Sequence, residues 1–267
     1  MKLLYEGKSK IIYEGLCEDT VIIKYKDTAT AFNGEKREEL AGKGQLNRAI
    51  SNIIFAHLES NGVKTHRVTN ILTLKQFREK YAGGDQGDQG DQGGQSEFCL
   101  VKKTQVIPVE IVVRNLAAGS FAKKYGVKWG SALNNVVFEF SVKSDVLGDP
   151  LINESQITAL GLAPKYQLET MVKEATRINS LLTCLFKRAG IRLVDFKLEF
   201  GLEYKKGSLT TCIILIDEIS PDSCRLWDIE TNEILDKDRF RKDLGEVLEG
   251  YKKVLTRLES SKAKPKA

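Results

Sequence analysis

The stretch LVDFKLEFGLE, residues 193–203, sets Asp195, Lys197 and Glu199 alternately among Phe196, Leu198 and Phe200. Side chains alternate across a strand, so the apolar groups share one face and the acid, base and acid share the other. Downstream, TTCIILIDEIS carries Asp217 and Glu218, and the intervening Lys205 to Ser208 reads as the turn of an antiparallel hairpin. A loop centred on Ser208 puts Glu199 opposite Asp217 with both carboxylates on one face, whereas a slip of one residue separates them. Facing carboxylates repel without a cation, and a substrate phosphate would complete the octahedron of a magnesium ion held between them. The alternative is a solvated hairpin face.

Other residue groups point to anions. GKSK, residues 7–10, lies between two strand-like runs. It fails as a P-loop, because Lys2 stands where that pattern needs glycine and Ile11, Ile12 and Tyr13 continue a strand instead of a helix. What remains is a strand-turn-strand with Lys8 and Lys10 at its bend, able to lie over phosphates or to be a plain surface turn. PVEIVVRNLAAGS puts Arg114 at the end of an apolar strand and Ser120 at the start of a helix, with small residues between them. This suits a phosphate pocket, and equally an N-cap beside a surface ion pair. PDSCRLWD adds Asp222 and Arg225, and DKDRFR adds Arg239 and Arg241. Each is unremarkable as an exposed charge, and together they favour a polyanionic ligand.

The elements that must position these groups follow from the pattern. Residues 1–110 are rich in strands, with one helix over 43–60, and form a sheet-dominated lobe. Inside it, residues 83–96 (GGDQGDQGDQGGQ and its flank) offer nothing to bury and are expected to form a flexible surface insertion. Residues 111–258 form a larger α+β lobe. Its longest helix carries Leu168, Met171, Val172, Ala175, Ile178, Leu182 and Leu185 at helical spacing before Gly190. DKDRFRKDLGEVLEGYKKVLTRLES reads as one C-terminal helix, with Phe240, Leu244, Val247, Leu248, Tyr251 and Leu255 on its apolar stripe. A frayed basic tail over 259–267 follows.

Composition narrows the function. The chain has 267 residues, 42% apolar and 29% charged, which is ordinary for a soluble protein large enough for two lobes. No apolar run approaches the roughly 18 residues of a membrane span, and MKLLYEGKSK has no secretory signal, so a cytoplasmic location is expected. The five cysteines are scattered without a CxxC pair, and the two histidines, with His57 on a helical pattern, nearly exclude histidine catalysis and zinc. A net charge of +5 with dispersed Lys and Arg gives little sign of nucleic-acid binding.

IPVEIVVRNLAAGS and LVDFKLEFG resemble the two signature segments of the phosphoribosylaminoimidazole-succinocarboxamide synthase (SAICAR synthetase) family. YEGKSKIIY, TAFNG, KGQLN, SPDSCRLWD and DKDRFR fit the same family in the same order across nearly the whole chain. The resemblance implies a two-lobed α+β fold of antiparallel sheets and packed helices, related to kinases and ATP-grasp enzymes, with ATP between the lobes. By the same resemblance Lys10 and Lys143 would hold ATP phosphates, Glu199 and Asp217 would bind Mg2+, and the strand around Val106 to Val109 would meet adenine through its backbone. Arg114, Ser120 and Arg225 would hold the phosphoribosyl substrate, and Asp195, Lys197, Asp222 and Arg241 would line the reaction site. The DQG insertion and a hairpin longer than usual depart from the family.

The reaction so implied joins L-aspartate to the carboxylate of carboxyaminoimidazole ribotide (CAIR), using ATP through an acyl phosphate. Phosphoryl transfer of this kind rests on positioning and charge neutralisation, which suits a chain without a nucleophile–histidine pair. The expected partners are these small molecules, with no nucleic acid and no membrane, and a homo-oligomer, a dimer, is expected although no residue pattern fixes the number of copies. A kinase is the nearest rival, but Asp195-Phe196 is followed by Lys197 instead of glycine and no HRD-type loop precedes it. A nucleic-acid module using the basic tail is the non-enzymatic rival.

Overall fold

A computed structural model describes residues 1–68, 75–77, 79, 97–144, 146–204 and 211–262. The expected DQG insertion, the Lys205 to Ser208 turn and the last five tail residues lie outside this range. The earlier tail residues, 259–262, belong to the final helix instead.

Alternating apolar residues build four antiparallel strands at the N-terminal end: β1 (Leu3–Glu6), β2 (Lys10–Glu14), β3 (Thr20–Tyr25) and, after a small hairpin of β4 (Thr28–Ala31) and β5 (Lys36–Glu39), β6 (Phe98–Lys102), in the order β1-β2-β3-β6. Gly7 closes the β1–β2 turn by donating its N–H to Lys10 O at 2.9 Å, and Lys10 opens β2. The strand-turn-strand expected at GKSK is therefore present.

A second sheet holds β7 (Gln105–Leu116), β8 (Ala132–Val142), β9 (Leu151–Ile152), β10 (Ile191–Tyr204), β11 (Thr211–Ile216) and β12 (Cys224–Asp228), in the order β11-β10-β7-β8-β9 with β12 also on β10. The expected lobe boundary at 110 falls inside β7. The chain changes sheets earlier, between Lys102 and Gln105, because Val109, Ile111 and Val113 of β7 all enter the larger core.

One edge of β10 is divided between two partners. Glu199 to Tyr204 pair with β11, Ile191 to Phe196 pair with β12, and the chain leaves the sheet between them as the excursion 217–223. Within this excursion Ser223 and Cys224 both donate N–H groups to Ser220 O, and Lys197 N–H donates to Ser223 O at 2.9 Å.

Three helices cover the apolar face of the larger sheet: α1 (Lys43–Ser60), the 24-residue helix Lys165–Arg188 and the helix Val247–Lys262. Leu168, Met171, Ala175, Ile178, Leu182 and Leu185 bury as their spacing predicts, against Phe196, Leu198 and Phe200 of β10. Ile50, Ile54, Phe55 and Leu58 of α1 join the same core, so this helix packs with the larger sheet although it lies in the N-terminal half.

The C-terminal helix expected as one piece is two, Asp238–Arg241 and Val247–Lys262. Asp243, Gly245 and Glu246 take left-handed φ of 54°, 70° and 49°, which no helix continues through, and Leu244 lies exposed instead of on the apolar stripe. Among the described residues no helix is long and apolar enough to cross a membrane, and all five cysteines are free thiols.

Candidate active site

The polar face of the larger sheet is built row by row from the register. Asp195 pairs with Arg114 and Arg114 with Val137; Lys197 pairs with Val112 and Val112 with Glu139; Glu199 pairs with Glu110 and Glu110 with Ser141. Strand alternation thus gathers Asp195, Lys197, Glu199, Glu110, Arg114 and Glu139 on one side while the odd-numbered β7 residues Val109, Ile111 and Val113 fill the other. This face is not a wet surface, since Asp195, Glu199 and Arg114 are all buried.

Glu199 and Glu110 are like charges directly opposite each other, an arrangement that costs stability without a counter-charge. Lys197 supplies it, donating from Nζ to Glu199 Oε1 at 2.5 Å and to Glu110 Oε1 at 2.8 Å, with Asp217 Oδ2 at 3.4 Å. Lys143 Nζ reaches Glu199 Oε2 at 2.7 Å from the end of β8. Lys10, from the β1–β2 turn, pairs with Asp217 and with Glu218 Oε1 at 3.0 Å.

The hairpin register differs by one residue from the expected one. Glu199 lies opposite Ile216, and Asp217 is already beyond β11. Asp217 nevertheless reaches the site, because its left-handed φ of 64° turns the chain out of the ladder and brings its carboxylate to Lys10 and Lys197. The expected pairing of carboxylates on one face survives through a backbone turn instead of through cross-strand register.

Burial alone would raise the Asp217 carboxyl, but the ammonium groups of Lys10 and Lys197 override it and hold Asp217 well below the ordinary range. Burial and the Asp217 charge push the Glu199 carboxyl up. The lysines at hand therefore leave negative charge at Glu199 under-compensated, and the donors are hard carboxylate oxygens, so the pair fits a magnesium ion. Among the described residues no group of three or more His, Cys, Asp and Glu gathers to hold a metal by itself. The fit rests on this pair with oxygens from a ligand.

Two cavities meet here. The larger, about 650 Å³, lies between the two sheets, lined by Gly7, Lys8, Lys10, Ile12, Val21 and Ile23 on one side and Val106, Pro108, Glu110, Lys143 and Glu199 on the other. The smaller, about 300 Å³, is lined by Arg114, Asp195, Asp222, Arg225, Lys237 and Arg241. Lys8, Ser9, Lys197 and Asp217 line both.

Around the smaller cavity the guanidinium groups are fixed by carboxylates. Arg114 donates from Nε to Glu139 Oε2 at 2.6 Å and from Nη1 to Asp195 Oδ2 at 2.7 Å. Arg225 donates from Nη1 to Asp195 Oδ2 and from Nε to Asp238 Oδ2, both at 2.9 Å, and Arg241 Nη1 reaches Asp238 Oδ1 at 2.6 Å. Ser120 does not cap its helix, whose N-cap is Ala118; its hydroxyl accepts from Arg114 Nη2 at 3.4 Å. Gly119 is required at its place: its φ is 54°, and a Cβ there would collide with the Arg225 guanidinium.

The sequence reading missed Glu110, Glu139, His66 and Lys237. Glu110 shared the alternation of Arg114 in PVEIVVR and was legible there, but Glu139 needed strand β8, which the reading did not recognise. His66 lines the larger cavity, buried against Phe55 with ring centroids 5.5 Å apart, and has no local motif. Burial first, then the charge of Lys10, lowers its imidazole pKa to about 3, so it is neutral.

Comparison with known proteins bears directly on this geometry. A profile of the SAICAR synthetase family matches residues 3–258. The chain belongs to the SAICAR synthetase family. A phosphoribosylaminoimidazole-succinocarboxamide synthase from Finegoldia magna is 47% identical over 258 residues, covering 97% of this chain and 99% of that protein. Among solved structures, the synthase from Ehrlichia chaffeensis superposes with a TM-score of 0.85 at 39% identity, covering 99% of this chain and all of that one. A SAICAR synthetase (Type-2) in complex with ADP superposes with a TM-score of 0.81 at 37% identity, with full coverage of both chains. As a SAICAR synthetase family member the chain is an enzyme, a carbon–nitrogen ligase of purine biosynthesis, and its mixed α+β fold of antiparallel sheets and packed helices is that of the family.

Proposed function

We propose that this enzyme joins the amino group of L-aspartate to the carboxylate of CAIR through an acyl phosphate, releasing ADP and phosphate. The observation that carries this reading is the junction of the two cavities at Lys197 and Asp217. A phosphoryl donor in the larger cavity and an acceptor in the smaller one would meet at this shared wall, which Lys8 and Ser9 also line. A relative 37% identical was solved in complex with ADP, which supports a nucleotide as a ligand of this enzyme.

In this reading Val106 and Pro108 flank the base, and Lys8, Lys10 and Lys143 draw the phosphates inward by charge. Arg114 and Arg225, preset by Asp195, Glu139 and Asp238, hold the ribotide with its carboxylate toward Lys197. Mg2+, held by Glu199 and Asp217 with phosphate oxygens, would neutralise charge on the transferring group. A carboxylate oxygen of CAIR attacks the γ-phosphorus and ADP leaves; the deprotonated aspartate amine then attacks the carbonyl carbon, phosphate leaves, and the amide nitrogen sheds its remaining extra proton. Lys197 stabilises the negative oxygens at both stages by position.

The test is ADP release. It is expected only when ATP, CAIR and L-aspartate are all present, and truncation after Lys262 should leave it intact. ADP release with a protein or sugar acceptor, and none with aspartate, overturns the reading.

A further inference from the structure

Strand β12 turns Cys224 and Leu226 into the larger core and therefore presents Arg225 and Trp227 together on its other face. Each of these two sits in a row of three residues, and both rows draw on the same three segments. Arg225 lines the smaller cavity; its guanidinium lies so close to Gly119 that a Cβ there would overlap it, and its Nε donates to Asp238 Oδ2 at 2.9 Å. Trp227 heads the second row, behind the cavity wall. Trp129 stacks on it with ring centroids 4.1 Å apart and planes tilted by 31°, and the Lys242 ammonium lies 4.2 Å from the centroid of the Trp129 ring.

Trp129 belongs to the same unit as Gly119. Gly130 donates its N–H to Ala117 O at 2.7 Å and Ala117 donates to Ser131 O at 2.9 Å, so the turn that carries Trp129 is tied to the residues just before Gly119. Lys242 belongs to the same unit as Asp238, since it closes the helix Asp238–Arg241 and donates its N–H to Asp238 O at 2.9 Å. That helix has four residues and runs into the left-handed Asp243, Gly245 and Glu246, so its own backbone bonds do little to hold it in place. Trp227 is 3% exposed and its Nε1 has no acceptor among the described residues, so packing alone fixes the ring. Trp129 is 41% exposed, far more than a residue that serves only the core. Flat rings and a cation above them fix a spacing between backbone segments without closing the cavity beside them.

We propose that Trp129 and Lys242 are positioning residues for the ribotide: their stack on Trp227 holds the segments of Gly119 and Asp238 at the separation that presets the Arg225 guanidinium. The inference rests on the reading above in which Arg225 holds the ribotide.

The experiment measures the KM values for CAIR and ATP in wild type, Trp129→Leu, Trp129→Phe, Lys242→Met, Lys242→Arg and the double variant Trp129→Leu/Lys242→Met. Trp129→Leu is expected to raise the CAIR KM about fivefold and Lys242→Met about threefold, with the ATP KM within about twofold in both. Trp129→Phe and Lys242→Arg keep a ring and a cation and should restore most of the loss. The double variant should be no worse than about the Trp129→Leu level, because either change alone breaks the stack. That result separates the stack from a general attraction of Lys242 for an anionic substrate, under which the two effects multiply. Multiplying effects, equal rises in both KM values, or no rise in the CAIR KM overturn the inference and leave the ligase reading intact. Arg225→Leu with an unaltered CAIR KM overturns the role of Arg225 and the inference with it, and wild-type protein that releases no ADP on CAIR and aspartate overturns the ligase reading. Should Trp129→Leu not fold, Lys242→Met, a change to an exposed side chain, carries the test with Lys242→Arg as its rescue; an unaltered CAIR KM in Lys242→Met then overturns the inference.

Discussion

Glu199 faces Glu110 directly across the β10–β7 ladder, and the Lys197 ammonium binds both, at 2.5 Å and 2.8 Å. Lys197→Met removes the shared cation and leaves the buried Glu199 and the partly buried Glu110 with Lys143 alone near them. Stability at pH 8 should fall by about 3 kcal/mol, the scale for breaking a buried pair. Glu199 is already raised by burial and by Asp217. A carboxyl raised in the folded state favours folding at low pH and loses that advantage as pH climbs. The deficit of the variant should therefore shrink at pH 5, which urea unfolding at the two values checks, and turnover should drop at least about 100-fold.

The two carboxylates that suit magnesium can be tested separately from the fold. Glu199→Gln and Asp217→Asn are each expected to abolish the magnesium dependence of ADP release. Asn tolerates the left-handed backbone that Asp217 occupies, so Asp217→Asn should still fold cooperatively, at a lower denaturant midpoint because the pairing with Lys10 and Lys197 is lost. A variant with full magnesium-dependent turnover removes that residue from the metal site.

Gly119→Ala meets two obstacles, a φ of 54° and the guanidinium of Arg225. A stability loss of about 2 kcal/mol is expected, together with a higher KM for the ribotide and an unaltered KM for ATP. Equal increases in both constants would place the effect elsewhere.

The buried His66 gives the protein an acid sensitivity. Its pKa, about 6.5 in the unfolded chain, falls to about 3 when folded. A depressed histidine contributes its full share of stability above pH 6.5 and loses it as pH falls, because only the unfolded chain takes up the proton. Between pH 7 and pH 5 this amounts to about 2 kcal/mol. His66→Gln should show that much less acid destabilisation in urea titrations.

Local pattern carried much of this architecture. The alternation of LVDFKLEFG fixed which face of β10 packs and which reacts, and the spacing of Leu168 to Leu185 fixed the buried stripe of the longest helix. What local pattern could not supply was long-range geometry. The hairpin register depended on where β11 ends, and Asp217 reaches Lys197 only through a left-handed turn. Likewise, the site meaning of Lys237 and His66 comes from elements that fold over them from distant parts of the chain, which no neighbouring residue announces. The break at Asp243 to Glu246 was masked because the apolar spacing on either side continued in phase.

Because β11 and β12 share the same edge of β10, the segment from 217 to 223 acts as a ruler of fixed length. Deleting or adding one residue there would slide β12 by a single step, and every side chain on it would trade sides: Leu226 would leave the core and Arg225 would enter it. Natural variation in chain length should therefore be absent from this segment, even though an excursion out of a sheet is where insertions are ordinarily accommodated.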